Sequence, residues 1–386
     1  MITKIFFPIT SKNRSRQWET IKTLPKNIVP ITKLTRQELD YKVTERFREH
    51  SLPNRIKSIF QRIGIPNMRL ITDPAAKDVD LIYSFGFIPL NKQKFMVEID
   101  NVTCLSFYNP HVLRNPLLRK LIADSLKSEY CKRIICISNA SRLSVSNTFK
   151  DKEIDKKIAV VYPYIKPRPK IKRNGDTVRF LYICTRFYEK GGREILEGFL
   201  ELSRRYKNIE LYMVTNIDDS TKNRYKQKNI FFIPAKLPKE ELFKKYYTKC
   251  DVFVSLSYQD SFGLTTLEAL SAGMPIIATD MFATTEMVKD GYNGFILPSP
   301  VRYFNKDFTP TMLLLKDMNV VARDMGLQTE LMNGFVARAT TLIEDPRLLK
   351  RMAKRSYSLV HNGPFSPRRR NTLLAKIFNE SVRSVA

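Results

Sequence analysis

A chain of 386 residues, 43% of them apolar, has room for two domains of ordinary size, each with a core of its own. Lys and Arg outnumber Asp and Glu by 66 to 38, and the net charge of +28 points to polyanionic partners such as phosphorylated substrates, anionic lipid or nucleic acid. No apolar run reaches the roughly 18–20 residues that cross a bilayer, and five cysteines without a C-x-x-C argue against a disulfide framework and for reduced core thiols in a cytoplasmic protein.

The opening MITKIFFPIT is too short and lacks the cleavage pattern of a signal peptide, so it reads as a first strand. Strand-like runs follow at NIVPI, MRLIT, LIYSF, KFMVEI, RIICIS and IAVVYPY, with helical patterns between them. Ile56, Ile59, Phe60 and Ile63 share one helix face that Gly64 stops. A second helix follows Asn115-Pro116, with Leu117, Leu118, Leu121 and Ile122 on its apolar side. Basic residues flank both: Arg55, Lys57 and Arg62 on the first, Arg114, Arg119, Lys120 and Lys127 on the second. Strands separated by helices imply a mainly parallel sheet.

Residues 1–165 hold 29 Lys and Arg and 15 Asp and Glu, so 29 − 15 = +14, half the excess of the whole chain. A dispersed charge with no RRM, KH or zinc-finger pattern does not predict nucleic-acid binding. His50, His111 and His361 lack metal-ligand spacing, so no zinc site is expected. Ser138 follows a strand without a placed His partner and reads as a helix N-cap.

Residues 166–177, KPRPKIKRNGDT, carry prolines, a glycine and little that could be buried, which marks a linker between residues 1–165 and 178–365. Beyond it the alternation is cleaner. VRFLYIC, IELYMVT and NIFFI are strands, GGREILEGFLELSRRY is a helix buried through Ile195, Phe199 and Leu202, and PKEELFKKYYTKC is another. Then DVFVSLS, the helix opened by Phe262-Gly263-Leu264, and PIIATD give strand, loop, helix and strand in quick succession. Residues 299–335 fit no regular pattern and read as an insertion before helices begun at Asp345-Pro346 and Ser366-Pro367. Eleven of the thirteen glycines lie after residue 170, so the tight turns that let a ligand approach backbone fall mainly in this half.

Two loops leave strands for helix starts here. CTRFYEKGG places Arg186 and Lys190 ahead of Gly191-Gly192, a cationic, glycine-rich helix start suited to a pyrophosphate. SYQDSFGLTTLEA brackets the second helix start with Asp260 and Glu268, seven residues between them. Its unpaired N–H groups sit at the positive end of a helix dipole. Taken alone, either set of charges would read as a solvated surface.

Together, Asp260-x7-Glu268, SFGL, LEA, Gly273-x-Pro275 and DGYNGF resemble the E-x7-E signature of retaining glycosyltransferases of the GT-B fold, especially family 4. The first acid departs from that signature, being Asp260 rather than Glu, and the Arg186–Lys190 spacing is one residue shorter than usual. The resemblance implies an α/β fold of two Rossmann-like domains facing a cleft, with a final helix at 366–386 crossing back to the first domain. It also implies a metal-independent, cofactor-free enzyme using a nucleotide-sugar donor. Arg186 and Lys190 would meet the pyrophosphate, Asp260 the donor sugar and Glu268 the ribose. Phe262, Gly263 and Leu264 would offer N–H groups, and Ile233 and Pro234 would border the base.

On the acceptor side Asp100 stands where many relatives carry a His, and no glycine precedes Gly64. The acceptor expected is a glycan or a lipid-linked chain, with an anionic membrane surface, on the cytoplasmic side, as a further partner. A catalytically inactive GT-B-like partner subunit is the rival reading, and a basic nucleic-acid-binding protein the weaker one. Asp78-Val79-Asp80 imitates the metal-binding D-x-D of the other glycosyltransferase fold, which the rest of the chain contradicts.

Overall fold

The structure is a computed structural model describing residues 3–9, 15–32, 59–169, 171 and 175–383. His50, Arg55, Ile56 and Lys57, residues 170 and 172–174 of the expected linker, and residues 384–386 of the expected last helix lie outside the described residues. The chain divides into two compact units: residues 1–164 with 303–315 and 367–386, and residues 165–302 with 316–366.

The first unit is built on a parallel sheet. Its strands are β1 (Thr3–Phe6), β2 (Ile28–Ile31), β4 (Leu81–Phe85), β6 (Phe95–Ile99), β7 (Cys131–Cys136) and β8 (Ile158–Val160), in the order β2-β1-β4-β6-β7-β8. The short β3 (Met68–Arg69) and β5 (Ile88–Pro89) pair apart from it. Alternate residues feed two cores, as a period of two requires. Phe6, Ile82, Val97 and Ile134 pack on one face with Ile122, Leu126 and Val145. Ile5, Tyr83, Met96 and Ile135 pack on the other with Trp18 and with Leu374, Ile377 and Phe378 of the helix Pro367–Arg383. With both faces covered, these strands read as near-continuous apolar runs. Glu98 is the exception inside β6. It is buried, ion-paired with Arg16, and accepts a hydrogen bond from the Tyr83 hydroxyl at 2.8 Å.

Helix Pro116–Lys127 begins where expected, with Asn115 Oδ1 accepting from the N–H groups of Leu117 and Leu118 at 3.0 and 3.2 Å. Its apolar residues divide, however. Ile122 and Leu126 enter the core, while Leu117 and Leu121 stand 78% and 49% exposed. Ser138 caps the helix Asn139–Phe149 through a 2.9 Å bond from Ser141 N–H. Asp80 takes the backbone N–H of Lys4 at 2.8 Å.

Residues 303–315, expected within one long insertion, belong to the first unit. Tyr303 and Leu314 are buried, Phe304 bridges Pro310, and Asn147 Nδ2 donates to the Asp307 carbonyl at 2.6 Å. Isolated anchors of this kind carry no period, which is why the stretch looks patternless in sequence.

The second unit contains β9 (Val178–Ile183), β10 (Ile209–Val214), β11 (Ile230–Ile233), β12 (Val252–Ser255), β13 (Ile276–Thr279) and β14 (Gly294–Leu297), all parallel, in the order β11-β10-β9-β12-β13-β14. Numbered within the unit that is 3-2-1-4-5-6, the Rossmann order, and it reverses between β9 and β12. Helix Gly192–Arg205 buries Ile195, Phe199 and Leu202. The described part of the expected linker is tied to this unit: Arg168 makes a two-pronged pair with Glu240 at 2.7 and 2.8 Å and lies over the Phe243 ring. All five cysteines are free and buried, and burial pushes the Cys131 and Cys136 thiols up to about 12. Among the described residues no helix is long and apolar enough to cross a membrane.

Candidate active site

Loops leaving neighbouring parallel strands at a point of order reversal open a crevice at the carboxyl ends of those strands. In the second unit the two loops are those after β9 and β12, and they carry Arg186, Lys190 and Asp260. Both need glycine in the left-handed region at their helix starts. Gly191 has φ +69°, and a Cβ on it would lie 2.4 Å from the Leu256 carbonyl oxygen; Gly263 has φ +87°. The close approach of Gly191 to Leu256 is what brings the loops side by side.

Lys190 reaches across. Its ammonium donates to the Gln259 carbonyl, lies 3.0 Å from Asp260 Oδ2 and 3.6 Å from Glu189 Oε1. Asp260 Oδ1 in turn accepts from the backbone N–H groups of Phe262 and Gly263 at 3.1 and 2.9 Å. Two of the N–H groups expected to face a ligand are therefore bonded to a side chain of their own loop. Burial alone would lower the Lys190 pKa, but the charges of Asp260 and Glu189 outweigh it and leave the ammonium above its ordinary value. Burial would likewise raise Asp260, and here Lys190 with the two N–H groups outweighs it, so the carboxyl lies below its usual range.

Arg186 is half in solvent. Its Nε lies 2.7 Å from Glu189 Oε2, a charge contact without the alignment of a hydrogen bond, and its terminal nitrogen is paired with Asp317. Asn319 Oδ1 takes the N–H groups of Tyr188 and Glu189, each at 3.1 Å, so the segment after residue 315 grips the cationic loop at two points. Glu189 is buried between the two cations, and that burial raises its pKa. An exposed pair such as Arg186–Asp317 contributes on the order of 0–1 kcal/mol.

Glu268 lies on the helix Leu264–Ser271 and is 5% exposed. Oε2 accepts from the Tyr247 hydroxyl at 2.7 Å, and Lys239 Nζ lies 3.6 Å from Oε1. Tyr247 ends a π-helical turn, Phe243–Tyr247, an irregularity common at functional sites. Ile233 closes β11 half-buried and its carbonyl accepts from Thr215 N–H at 2.9 Å, while Pro234 is exposed. In the first unit Asp100 follows β6, buried, holding its neighbour Asn101 N–H at 2.9 Å and the Tyr108 hydroxyl at 3.0 Å.

Five participants escape sequence reasoning: Glu189, Lys239, Tyr247, Asp317 and Asn319. An acid between two cations of one short loop was a usable sign for Glu189. Asp317-x-Asn319 before an apolar run is only a helix-start sign, and Tyr247 lies within an ordinary helical pattern. Among the described residues no group of three or more His, Cys, Asp or Glu is placed to hold a metal ion.

Residues 165–308 match the family model described as glycosyl transferases group 1. That stretch holds both crevice loops, while Asp317 and Asn319 lie beyond it. Sucrose synthase 6 of Arabidopsis thaliana is 29% identical over 131 residues, 31% of this chain but only 14% of the length of that relative. The chain thus spans a small part of the curated relatives it matches. Likeness of fold extends further than likeness of sequence to the group 1 family. The structure of Anabaena HepE in complex with UDP-glucose is similar over 98% of this chain and 100% of its own, with a TM-score of 0.61 and 14% identity. A glycosyltransferase from Rickettsia africae ESF-5 is similar over the full length of both chains, with a TM-score of 0.59 and 14% identity. The fold is accordingly the GT-B plan of two Rossmann-like units.

Proposed function

We propose that this chain is a retaining glycosyltransferase of family 4 type that moves a sugar from a nucleotide-activated donor to a glycan or lipid-linked acceptor without a metal or other cofactor. The single observation behind this is the meeting of Lys190 and Asp260 where the strand order reverses, with Arg186 joined to Lys190 through Glu189, within the matched group 1 stretch. In the reaction the bond from the anomeric carbon to the diphosphate oxygen breaks and its electron pair leaves with the nucleoside diphosphate. The acceptor hydroxyl attacks from the same face, and its proton passes to the departing phosphate oxygen. Arg186, Lys190 and the positive end of the helix that starts at Leu264 oppose the charge that builds on the leaving group, the Phe262 and Gly263 N–H groups joining them where a phosphate oxygen takes the place of Asp260 Oδ1. Asp260 accepts from donor-sugar hydroxyls and Glu268 from the ribose, while Ile233 and Pro234 border the base. On the acceptor side Asp100 stands at the strand end that follows β6.

The membrane side of the proposal rests on the helix Pro116–Lys127, where exposed Leu117 and Leu121 lie among Arg114, Arg119 and Lys120. Such a face suits a peripheral hold on an anionic surface at the cytoplasmic side.

A partner subunit without catalysis is the second reading, favoured by the carboxylates already gathered on Arg186 and Lys190. Incubation with a panel of nucleotide sugars, uridine diphosphate sugars first, separates the two. Slow release of nucleoside diphosphate, lost in Lys190→Ala, is the expected result. No release from any donor, with nucleotide still bound, would establish the partner reading instead.

A further inference from the structure

Among the described residues, the ion-paired cluster around Arg186 and Lys190 contains more negative than positive charge. Arg186 and Lys190 contribute two positive charges and Glu189, Asp260 and Asp317 three negative ones, so 2 − 3 = −1. A diphosphate entering such a cluster gains little unless one carboxylate withdraws. Glu189 is buried and Asp260 is held by Lys190 and two backbone N–H groups. Asp317 differs from both: its side chain is 58% exposed, and among the described residues Oδ1 is tied otherwise only to the N–H of Asn319, at 2.9 Å, as the N-cap of the helix Met318–Asp324.

We infer that Asp317 is a displaceable counter-ion that competes with an anionic ligand for Arg186 and thereby sets the affinity of the crevice for a diphosphate. The inference rests on the proposed role of Arg186 but adds a residue outside the matched stretch, two positions before the Asn319 that holds the loop. Asp317 acts through Arg186, so it is a positioning residue rather than a catalytic one. Clamping is the work of Asn319, which holds the loop by its backbone whether or not Asp317 is on the guanidinium.

The charge can be removed without removing the cap, because Asn caps helices as well as Asp does. Inorganic pyrophosphate is the probe, titrated calorimetrically into the full chain carrying Asp317→Asn, Asp317→Glu, Arg186→Ala, or Arg186→Ala with Asp317→Asn. Asp317→Asn is expected to tighten binding about two- to fivefold, the span of an exposed ion pair, with the gain shrinking as salt is raised. Asp317→Glu keeps the charge and should stay near the wild-type affinity. The gain from Asp317→Asn should be smaller in the Arg186→Ala background. Unchanged or weaker binding by Asp317→Asn at an unchanged melting temperature overturns the inference and leaves the role of Arg186 standing. Pyrophosphate affinity indifferent to Arg186→Ala removes that role, and the inference with it. Absence of measurable binding by wild type and Asp317→Asn alike overturns the inference too, since releasing the competitor should then have revealed binding.

Discussion

The Tyr247 hydroxyl donates a 2.7 Å hydrogen bond to Oε2 of Glu268, joining a π-helical turn to the helix that opens behind the Asp260 loop. The acid is thus held inside the second unit rather than displayed at its surface, and its loss has two consequences. Glu268→Ala should weaken nucleotide binding by the value of hydrogen bonds to a charged acceptor, about 1.5–3 kcal/mol, and lower the melting temperature because Tyr247 and Lys239 each lose one contact. Calorimetric titration with nucleotide and a thermal melt check both. Unchanged affinity would remove Glu268 from the ribose.

Asp260→Asn should abolish most sugar transfer while keeping the fold, because the amide oxygen can still accept from Phe262 and Gly263 but no longer balances Lys190. Equal turnover by Asp260→Asn and wild type would make the carboxylate a bystander.

The same residue has a signature in acid. Burial would raise the Asp260 pKa, yet Lys190 and the two N–H groups bring it below its ordinary value in the folded chain. A depressed folded pKa adds stability that is fully present above the unfolded value of about 3.9 and lost as pH falls through the folded one. The stability gap between wild type and Asp260→Asn should therefore be constant from neutral pH down to about 4 and shrink below it. Denaturant melts at stepped pH measure this; a gap that widens in acid contradicts the assigned shift.

Glu98 in the first unit forms a buried ion pair with Arg16 and accepts from Tyr83. Removing one partner of such a pair leaves an uncompensated buried charge, so Glu98→Ala should cost about 3–5 kcal/mol in urea unfolding. A loss below about 1 kcal/mol would place the pair among weak surface contacts.

Peripheral docking predicts co-sedimentation with anionic but not neutral vesicles, reversed by salt. Within the helix Pro116–Lys127, Lys120 is paired with Asp124 at 2.7 Å and Lys127 with Asp124 and Asp151 at 3.4 and 3.2 Å. Leu117→Glu with Arg119→Glu should therefore weaken binding more than Lys120→Glu with Lys127→Glu. Each basic group near the surface is worth roughly 1 kcal/mol. Binding that ignores lipid charge, or none in low salt, would leave a soluble acceptor.

What the amino-acid sequence determined by itself was local. The apolar runs of β9 and β12, the glycines that open the helices after Gly191 and Gly263, and the caps at Asn115, Ser138 and Asp345 are legible because their physics involves residues a few positions apart. The loops carrying Arg186, Lys190, Asp260 and Glu268 could be found for that reason. Their chemical state was decided only in three dimensions. The strand order β9-β12 brings Lys190 onto Asp260, seventy residues on, and the return of the chain after residue 315 brings Asp317 onto Arg186. The same holds for Glu268 and Tyr247, for Leu117 left outside its core, and for residues 303–315 packed in the first unit. Coulomb and hydrogen-bond energies depend on separations of a few ångströms, and separations between distant residues follow from strand order and packing, which no local periodicity encodes.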